Sequence, residues 1–335
     1  MRKRTISRPQ PRLADLARHM HGLHADQKQL TEIQGAYDNL ALLGQLLCAG
    51  TDISRMRQDF NELAGQLLDQ LAREHYKKAA LNLGAGARVA IDVLVRNLFE
   101  RTADIGFLAS DSEICAFAAA GDDATAPARA ALEARFAEYV RKYSVYHDII
   151  LLSPAGDVLA RLDTAAPQGR SADPLVAAAL VSEAPYLEVF RPSDLLPGSA
   201  SPLLYARRVD GADGKAVGVL CLCFRFADEC QRIFDSLVAA DDWTVLTVLD
   251  AEGRVIASSD LHQVPSGVRL ETVRDEDCRV VRFAGREYLA TTRPAQGYQG
   301  YAGPGWLGHA LAPLEHAFTA GDADELARVP EDYLA

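Results

Sequence analysis

Residues 146–163, YHDIILLSPAGDVLARLD, recur in similar form at 243–260, WTVLTVLDAEGRVIASSD, at a constant offset of 97 positions from Tyr146 to Trp243. Aligned without a gap, Leu152 meets Leu249, Gly156 meets Gly253, Val158 meets Val255, Ala160 meets Ala257 and Asp163 meets Asp260. Such an internal repeat constrains the fold more than any single motif, because both copies must adopt the same supersecondary unit. Each copy is an apolar, β-branched run, a four-residue turn (154–157 or 250–253) and a second apolar run, which predicts a β-hairpin. A lone hairpin does not bury its apolar face in water, so each copy begins a larger sheet and the chain carries two similar modules in tandem.

The 335 residues, 49 % of them hydrophobic, suffice for two or three globular domains. A net charge of −11 argues against a nucleic-acid surface, which needs clustered cations to displace counterions. The basic cluster Arg2-Lys3-Arg4 is followed by Ser7, Pro9, Gln10 and Pro11 instead of an apolar run, so no secretory signal is expected. The most apolar helical stretch, 89–109, is interrupted by Asp92, Arg96, Arg101 and Asp104, so no membrane span is expected and the expected address is cytoplasmic. Cys48, Cys115, Cys221, Cys223, Cys230 and Cys278 lack C-x-x-C spacing and read as core residues, with a thiolate site at 221, 223 and 230 as the sharper alternative. His19, His21 and His24 sit in a leader without nearby Cys or carboxylate ligands, so no metal is expected there.

A flexible leader is expected over 1–25. Residues 26–87 read as a helical dimerisation region. Leu30, Ile33, Tyr37, Leu40, Gly44 and Leu47 form one stripe and Met56, Phe60, Leu63, Leu67 and Leu71 another, separated by Gly50 and a cap at Thr51 or Asp52. Asn82, Gly84 and Gly86 loosen the pattern before a further helix at 88–109. A first module then extends to residue 240 and a second over 241–318, with a tail at 319–335. Second-module strands are expected at 243–250, 254–259, 278–284, 286–293 and 306–312.

The order of long helix, helical cap, Gly-turn hairpin and then PYLEVFRPSDL…SPLLYARRVDGADGKAVGVLCLCFRF, followed by a smaller second module, resembles the double Cache domain, a tandem PAS-like sensing region common in chemoreceptors and sensor kinases. The resemblance covers roughly residues 88–313. The segments YDNLALLGQLLCAGTDISRM, VRNLFERTADIGFLASDSEI and GYQGYAGPGWLGHALAPLEHAF further resemble soluble bacterial chemotaxis-type Cache proteins. The implied fold class is α+β: an N-terminal helical hairpin or coiled coil followed by a tandem PAS-like pair of antiparallel sheets. Two departures stand out. The membrane helices that flank most double Cache sensors are missing, and the Arg closely followed by Trp-Tyr of amino-acid-binding members is absent, since the tryptophans are Trp243 and Trp306.

The resemblance implies a ligand on the concave face of the first sheet, beneath the connecting helices. Strand parity puts Tyr146, Asp148, Ile150 and Leu152 on one face of the first strand and Tyr205 with Arg207 on one face of a later strand, and Asp148 with Arg207 or Arg191 are the expected inward anion and cation. Tyr186 starts a strand, and Arg191 at its end is suited to receive a carboxylate in a bidentate pair. The expected ligand-binding residues are therefore Tyr146, Asp148, Arg161, Tyr186, Arg191, Tyr205 and Arg207. The bland alternative pairs Asp148 with Arg161 or Arg207 as an internal ion pair.

No G-x-S-x-G, H-E-x-x-H or Walker A motif occurs, and the Gly-rich 297–308 stretch, which lacks a strand-loop-helix context and a Lys, reads as a packing loop, so neither enzyme activity nor a cofactor is expected. The expected function is small-molecule sensing, of an amino acid, amine or organic acid, by a homodimer that acts on a downstream signalling protein. A scaffold with a degenerate Cache fold is the rival reading, and an unrecognised hydrolase a remoter one.

Overall fold

The computed structural model describes residues 12–46, 53–199, 202–239, 241–274 and 277–318. Gly50, Thr51, Asp52, Leu47 and the 319–335 tail lie outside the described residues. The chain divides into two compact units. The β1–β5 unit comprises Asp92–Ile233 and Gln296–Pro304; the β6–β10 unit comprises Met1–Ile91, Phe234–Ala295 and Gly305–Ala335.

Helix α1 (Leu13–Ala17) and helix α2 (His21–Leu46) begin inside the stretch read as an unstructured leader. Leu16, Met20 and Leu23 are buried there, an apolar set too short to show a helical period. Helix α2 lies against helix α3 (Ile53–Ala109), with Tyr37 and Phe60 stacked at 5.6 Å and Arg57 3.1 Å from Asp38. Helix α3 runs unbroken for 57 residues, so the expected break at 82–86 does not occur. The glycines are there for packing. A Cβ on Gly84 would stand 3.0 Å from Arg293 Nη2, one on Gly86 would stand 3.4 Å from Leu246, and one on Gly308 would strike the Ala87 carbonyl at 2.0 Å. Each helical glycine costs about 1 kcal/mol relative to alanine, a cost offset by the close approach of helix and sheet.

In the β1–β5 unit, helices α4 (Ser112–Ala120) and α5 (Ala126–Lys142) precede strands β1 (Tyr146–Leu152) and β2 (Val158–Arg161). Helix α6 (Pro174–Val181), strands β3 (Leu187–Phe190), β4 (Leu203–Asp210) and β5 (Ala216–Phe224), and helix α7 (Phe226–Leu237) follow. The other unit holds β6 (Val245–Leu249), β7 (Val255–Ser258), β8 (Arg279–Phe283), β9 (Arg286–Pro294) and β10 (Leu307–Pro313). Both sheets are antiparallel, five-stranded and identically ordered, β2-β1-β5-β4-β3 and β7-β6-β10-β9-β8.

The sequence repeat survives in fine detail. Gly156 and Gly253 turn the two equivalent hairpins with φ of +90° and +82°, and the pairing register slips between Leu151 and Leu152 in one copy and between Val248 and Leu249 in the other, 97 positions on. The same turn and the same bulge at matched positions mark the two sheets as one design used twice. One face of each sheet carries its apolar cluster. In the β1–β5 unit this cluster holds Ile150, Leu152, Val219, Cys221, Cys223, Leu204 and Ala206 under Leu175, Val176 and Ala179 of α6. In the β6–β10 unit it holds Val245, Leu249, Leu307, Leu311 and Ala290 under Val264, Leu270 and Val273.

Candidate functional site

The face of the β1–β5 sheet beneath α6, where the resemblance places a ligand, is packed with protein. Asp148 and Arg161, both buried, neutralise each other there. Arg161 donates through Nε and Nη2 to Asp148 Oδ2, through Nη1 to the Pro167 carbonyl at 2.8 Å and through Nη2 to the Leu195 carbonyl at 3.3 Å. The other carboxylate oxygen, Oδ1, accepts the Ile149 and Asp163 amides at 2.9 and 3.1 Å. The bland alternative for Asp148 thus holds, with Arg161 as the partner. Arg191 is likewise engaged: its guanidinium clamps Asp173 in a bidentate pair at 2.6 and 2.9 Å, and that carboxylate also caps α6 through the Leu175 amide. Around these pairs the face is apolar.

Two parity expectations are corrected. Tyr146 does not share a face with Asp148, because the register slips between them at His147. Its hydroxyl donates to Asp104 of α3, and its ring lies 6.3 Å from Tyr139 with the Arg101 guanidinium 5.7 Å away. Burial and then the Asp104 charge push the Tyr146 phenol well above its ordinary range. Nor does Asp148 share a face with Arg207: Asp148 pairs with Cys223 and Arg207 with Leu220, three residues apart on β5 and so on opposite faces.

That opposite face brings the remaining expected residues together around one that the sequence reading missed. Glu188 of β3 stands directly across from Tyr205 of β4. Tyr186 immediately precedes the Leu187–Ala206 pair that starts this register, and Arg207 immediately follows it on β4, so four side chains of one parity cluster here. Tyr205 donates to Glu188 Oε1 at 2.9 Å, and Tyr301 donates to both carboxylate oxygens at 2.8 and 3.0 Å. The Tyr186 and Tyr205 rings are 6.0 Å apart. Arg207 reaches α3 at Gly106, where a Cβ would stand 3.1 Å from its Nη1.

Tyr301 arrives on the segment 296–304, which belongs to this unit although its flanking strands belong to the other. The segment is pinned by the Gln296 amide on Asp92 Oδ1 at 2.8 Å, and Tyr298 and Tyr301 pack on Phe99 at 5.3 and 6.2 Å. Gly303, at φ +72°, passes so close to Val95 that a Cβ would meet its side chain at 2.9 Å. The Gly-rich stretch therefore packs, as its aromatic residues suggested.

The electrostatics of the block are unbalanced. Burial raises the Glu188 carboxyl above the usual carboxylate range, and the hydroxyls of Tyr301 and Tyr205 offset that only in part. Among the described residues no cation pairs with Glu188 and no anion pairs with Arg207. A carboxylate and a guanidinium on one face, each without an ionic partner and with three phenols between and around them, can bind a small molecule that carries both charges. The missed signal was a lone carboxylate inside the otherwise apolar strand LEVF.

Cys221 and Cys223 do share a face, but they lie inside the apolar cluster, where burial raises both thiols, Cys221 to about 12. Among the described residues no group of three His, Cys, Asp or Glu is placed to hold a metal. No helix of the described residues is long and apolar enough to cross a membrane.

Neither a family model nor a curated protein matches the sequence. Solved structures do match the fold. The ligand-binding domain of the Pseudomonas fluorescens chemoreceptor CtaA, solved with L-isoleucine, aligns at a TM-score of 0.51 and 17 % identity, covering 74 % of this chain and 97 % of that one. The sensor domain of the Vibrio cholerae histidine kinase DctB aligns at a TM-score of 0.48 and 11 % identity, covering 74 % and 98 %. With two like sheets in tandem behind a long helix, the chain has the double Cache fold of such sensor domains.

Proposed function

We propose that the chain is the sensing module of a bacterial signal-transduction protein of the chemotaxis type, and that its β1–β5 unit binds a small zwitterion of the amino-acid class. The observation that carries this reading is the unpaired Glu188–Arg207 couple on one face, framed by Tyr186, Tyr205 and Tyr301. Glu188 and the phenol oxygens receive the ligand ammonium, and Arg207 receives its carboxylate in a bidentate pair. Diagonal neighbours on adjacent strands are about 7–8 Å apart, a span that one small molecule bridges. Binding rather than catalysis is the role, since the block contains no nucleophile beside a base. Signalling requires that the ligand prefer one of two arrangements of the strands and helices. A homodimer, a downstream signalling protein and a cytoplasmic address complete the proposal.

The test is a thermal-shift panel of amino acids, with L-isoleucine included, beside the matching amines and carboxylic acids. A ligand at 100 Kd adds about 2.7 kcal/mol of stability. The proposal expects a shift from a zwitterion that neither half-molecule reproduces and that Glu188→Gln and Arg207→Met each abolish. A panel with no shift at all favours the second reading, a ligand-free scaffold, for which the filled face beneath α6 speaks.

A further inference from the structure

The β6–β10 unit contains a cavity of about 100 Å³ that the block around Glu188 does not involve. One wall is α3, where His75, Lys78, Asn82 and Gly86 recur at three- and four-residue steps and so line one face of the helix. Asp242 and Thr244 before β6, and His316 after β10, supply the other polar groups, and all of these residues belong to the same unit. The floor is apolar: Ala79, Leu83, Leu246 and Ala312 are buried. A cavity of that volume has room for several waters or one short-chain acid.

Two of the basic groups lining it are not used up within the protein. Among the described residues Lys78 and His75 make no ion pair and no side-chain hydrogen bond. Asp242 is partly occupied, since its Oδ1 accepts the Thr244 amide at 2.8 Å. His316 is held in place by Trp243, which stacks on it at 4.4 Å with the rings 9° from parallel.

We propose that this cavity is a second ligand site, for a small monocarboxylate of acetate to lactate size. Lys78 and His75 donate to the carboxylate and the Leu83–Leu246 floor receives the aliphatic end. Asp242, which lines the same cavity, repels a second carboxylate, so dicarboxylates such as succinate are rejected. The Trp243–His316 stack makes occupancy visible, because a charge placed beside the imidazole changes the environment of the indole.

The experiment is a tryptophan-fluorescence titration of the full chain with sodium acetate, lactate and succinate against sodium chloride at matched ionic strength. Calorimetry runs in parallel. A saturable change with acetate or lactate, absent with chloride and succinate, is expected. Trp243→Phe should abolish the ligand-dependent fluorescence change while the calorimetric heat remains. Lys78→Gln, at an exposed position whose substitution leaves the fold intact, should weaken binding about tenfold or more, the loss of one charge-assisted bond. The proposal is overturned if neither monocarboxylate gives a saturable signal or heat, if succinate binds as well as lactate, or if Lys78→Gln binds like the parent.

Discussion

Replacing Asp148 alone should damage the fold more than replacing it together with Arg161. The structure gives the reason: Arg161 is 2 % exposed and sends two of its donors to Asp148 Oδ2. Removing the carboxylate strands a buried guanidinium, which costs about 3–5 kcal/mol. The repeat supplies an alternative, since at the equivalent positions of the second sheet Val245 and Ser258 stand where Asp148 and Arg161 stand in the first. Asp148→Val with Arg161→Ser therefore removes both charges at once. What remains lost is the acceptor for the Ile149 and Asp163 amides, about 1–3 kcal/mol. At roughly 2–4 °C per kcal/mol for a domain of this size, Asp148→Val should melt on the order of 10 °C below the parent and the double variant well above the single one. Urea or thermal melts of the three proteins decide the matter. A double variant that melts as low as Asp148→Val, or lower, would show that the guanidinium was never stranded and that the pair is not the structural element described.

Three further outcomes are expected. Gly308→Ala places a methyl on the Ala87 carbonyl and should cost several kcal/mol or prevent folding, whereas Gly65→Ala, with open space at its Cβ, should not; melting curves compare them. His309 is fully buried between Thr247 and Thr292, its Nδ1 2.8 Å from the Thr292 hydroxyl, and burial lowers its pKa to about 3. Its neutral form belongs to the fold while the unfolded chain takes up a proton below about pH 6.5, so this contribution is complete above pH 6.5 and falls by about 1.4 kcal/mol per pH unit between there and pH 3. Urea titrations of the parent and His309→Phe over that window should show a steeper loss of stability on acidification in the parent, the difference being the histidine contribution. Leu40 and Leu63, each 65 % exposed on α2 and α3, should lie in a dimer contact, so that Leu40→Glu with Leu63→Glu shifts a light-scattering mass from dimer to monomer; an unchanged mass refutes the dimer.

The sheets were legible because two copies of one pattern reinforce each other. Both hairpins, their glycine turns and all the expected strands of the second sheet appear within a few residues of where alternation and turn residues put them. The helix break at Gly84 and Gly86 was misread because glycine's cost in a helix shows in sequence, whereas the neighbour that requires it, Arg293 or Leu246, is distant in the chain. The site was half legible. Parity correctly joined Tyr205 to Arg207, but one unpaired residue at His147 reversed the facing of Tyr146 relative to Asp148, and no local pattern announces a bulge. Glu188 escaped because its partner Tyr301 lies 113 positions away on a segment that sequence places with the other sheet.

The central claim, that Glu188 and Arg207 hold opposite ends of one zwitterion, is tested most directly by calorimetric titration across pH. Because burial raises the Glu188 carboxyl, the empty site holds a proton to a higher pH than an ordinary glutamate, and an incoming ammonium must expel it. Affinity for the zwitterion found in the thermal-shift panel should therefore rise with pH through that elevated range, with proton release detectable as a dependence of the heat on the buffer. In Glu188→Gln the pH dependence should vanish and binding weaken roughly ten- to a hundredfold, about 1.5–3 kcal/mol. A Glu188→Gln protein that binds as tightly as the parent, or a parent whose affinity is flat across the same range, would contradict the account.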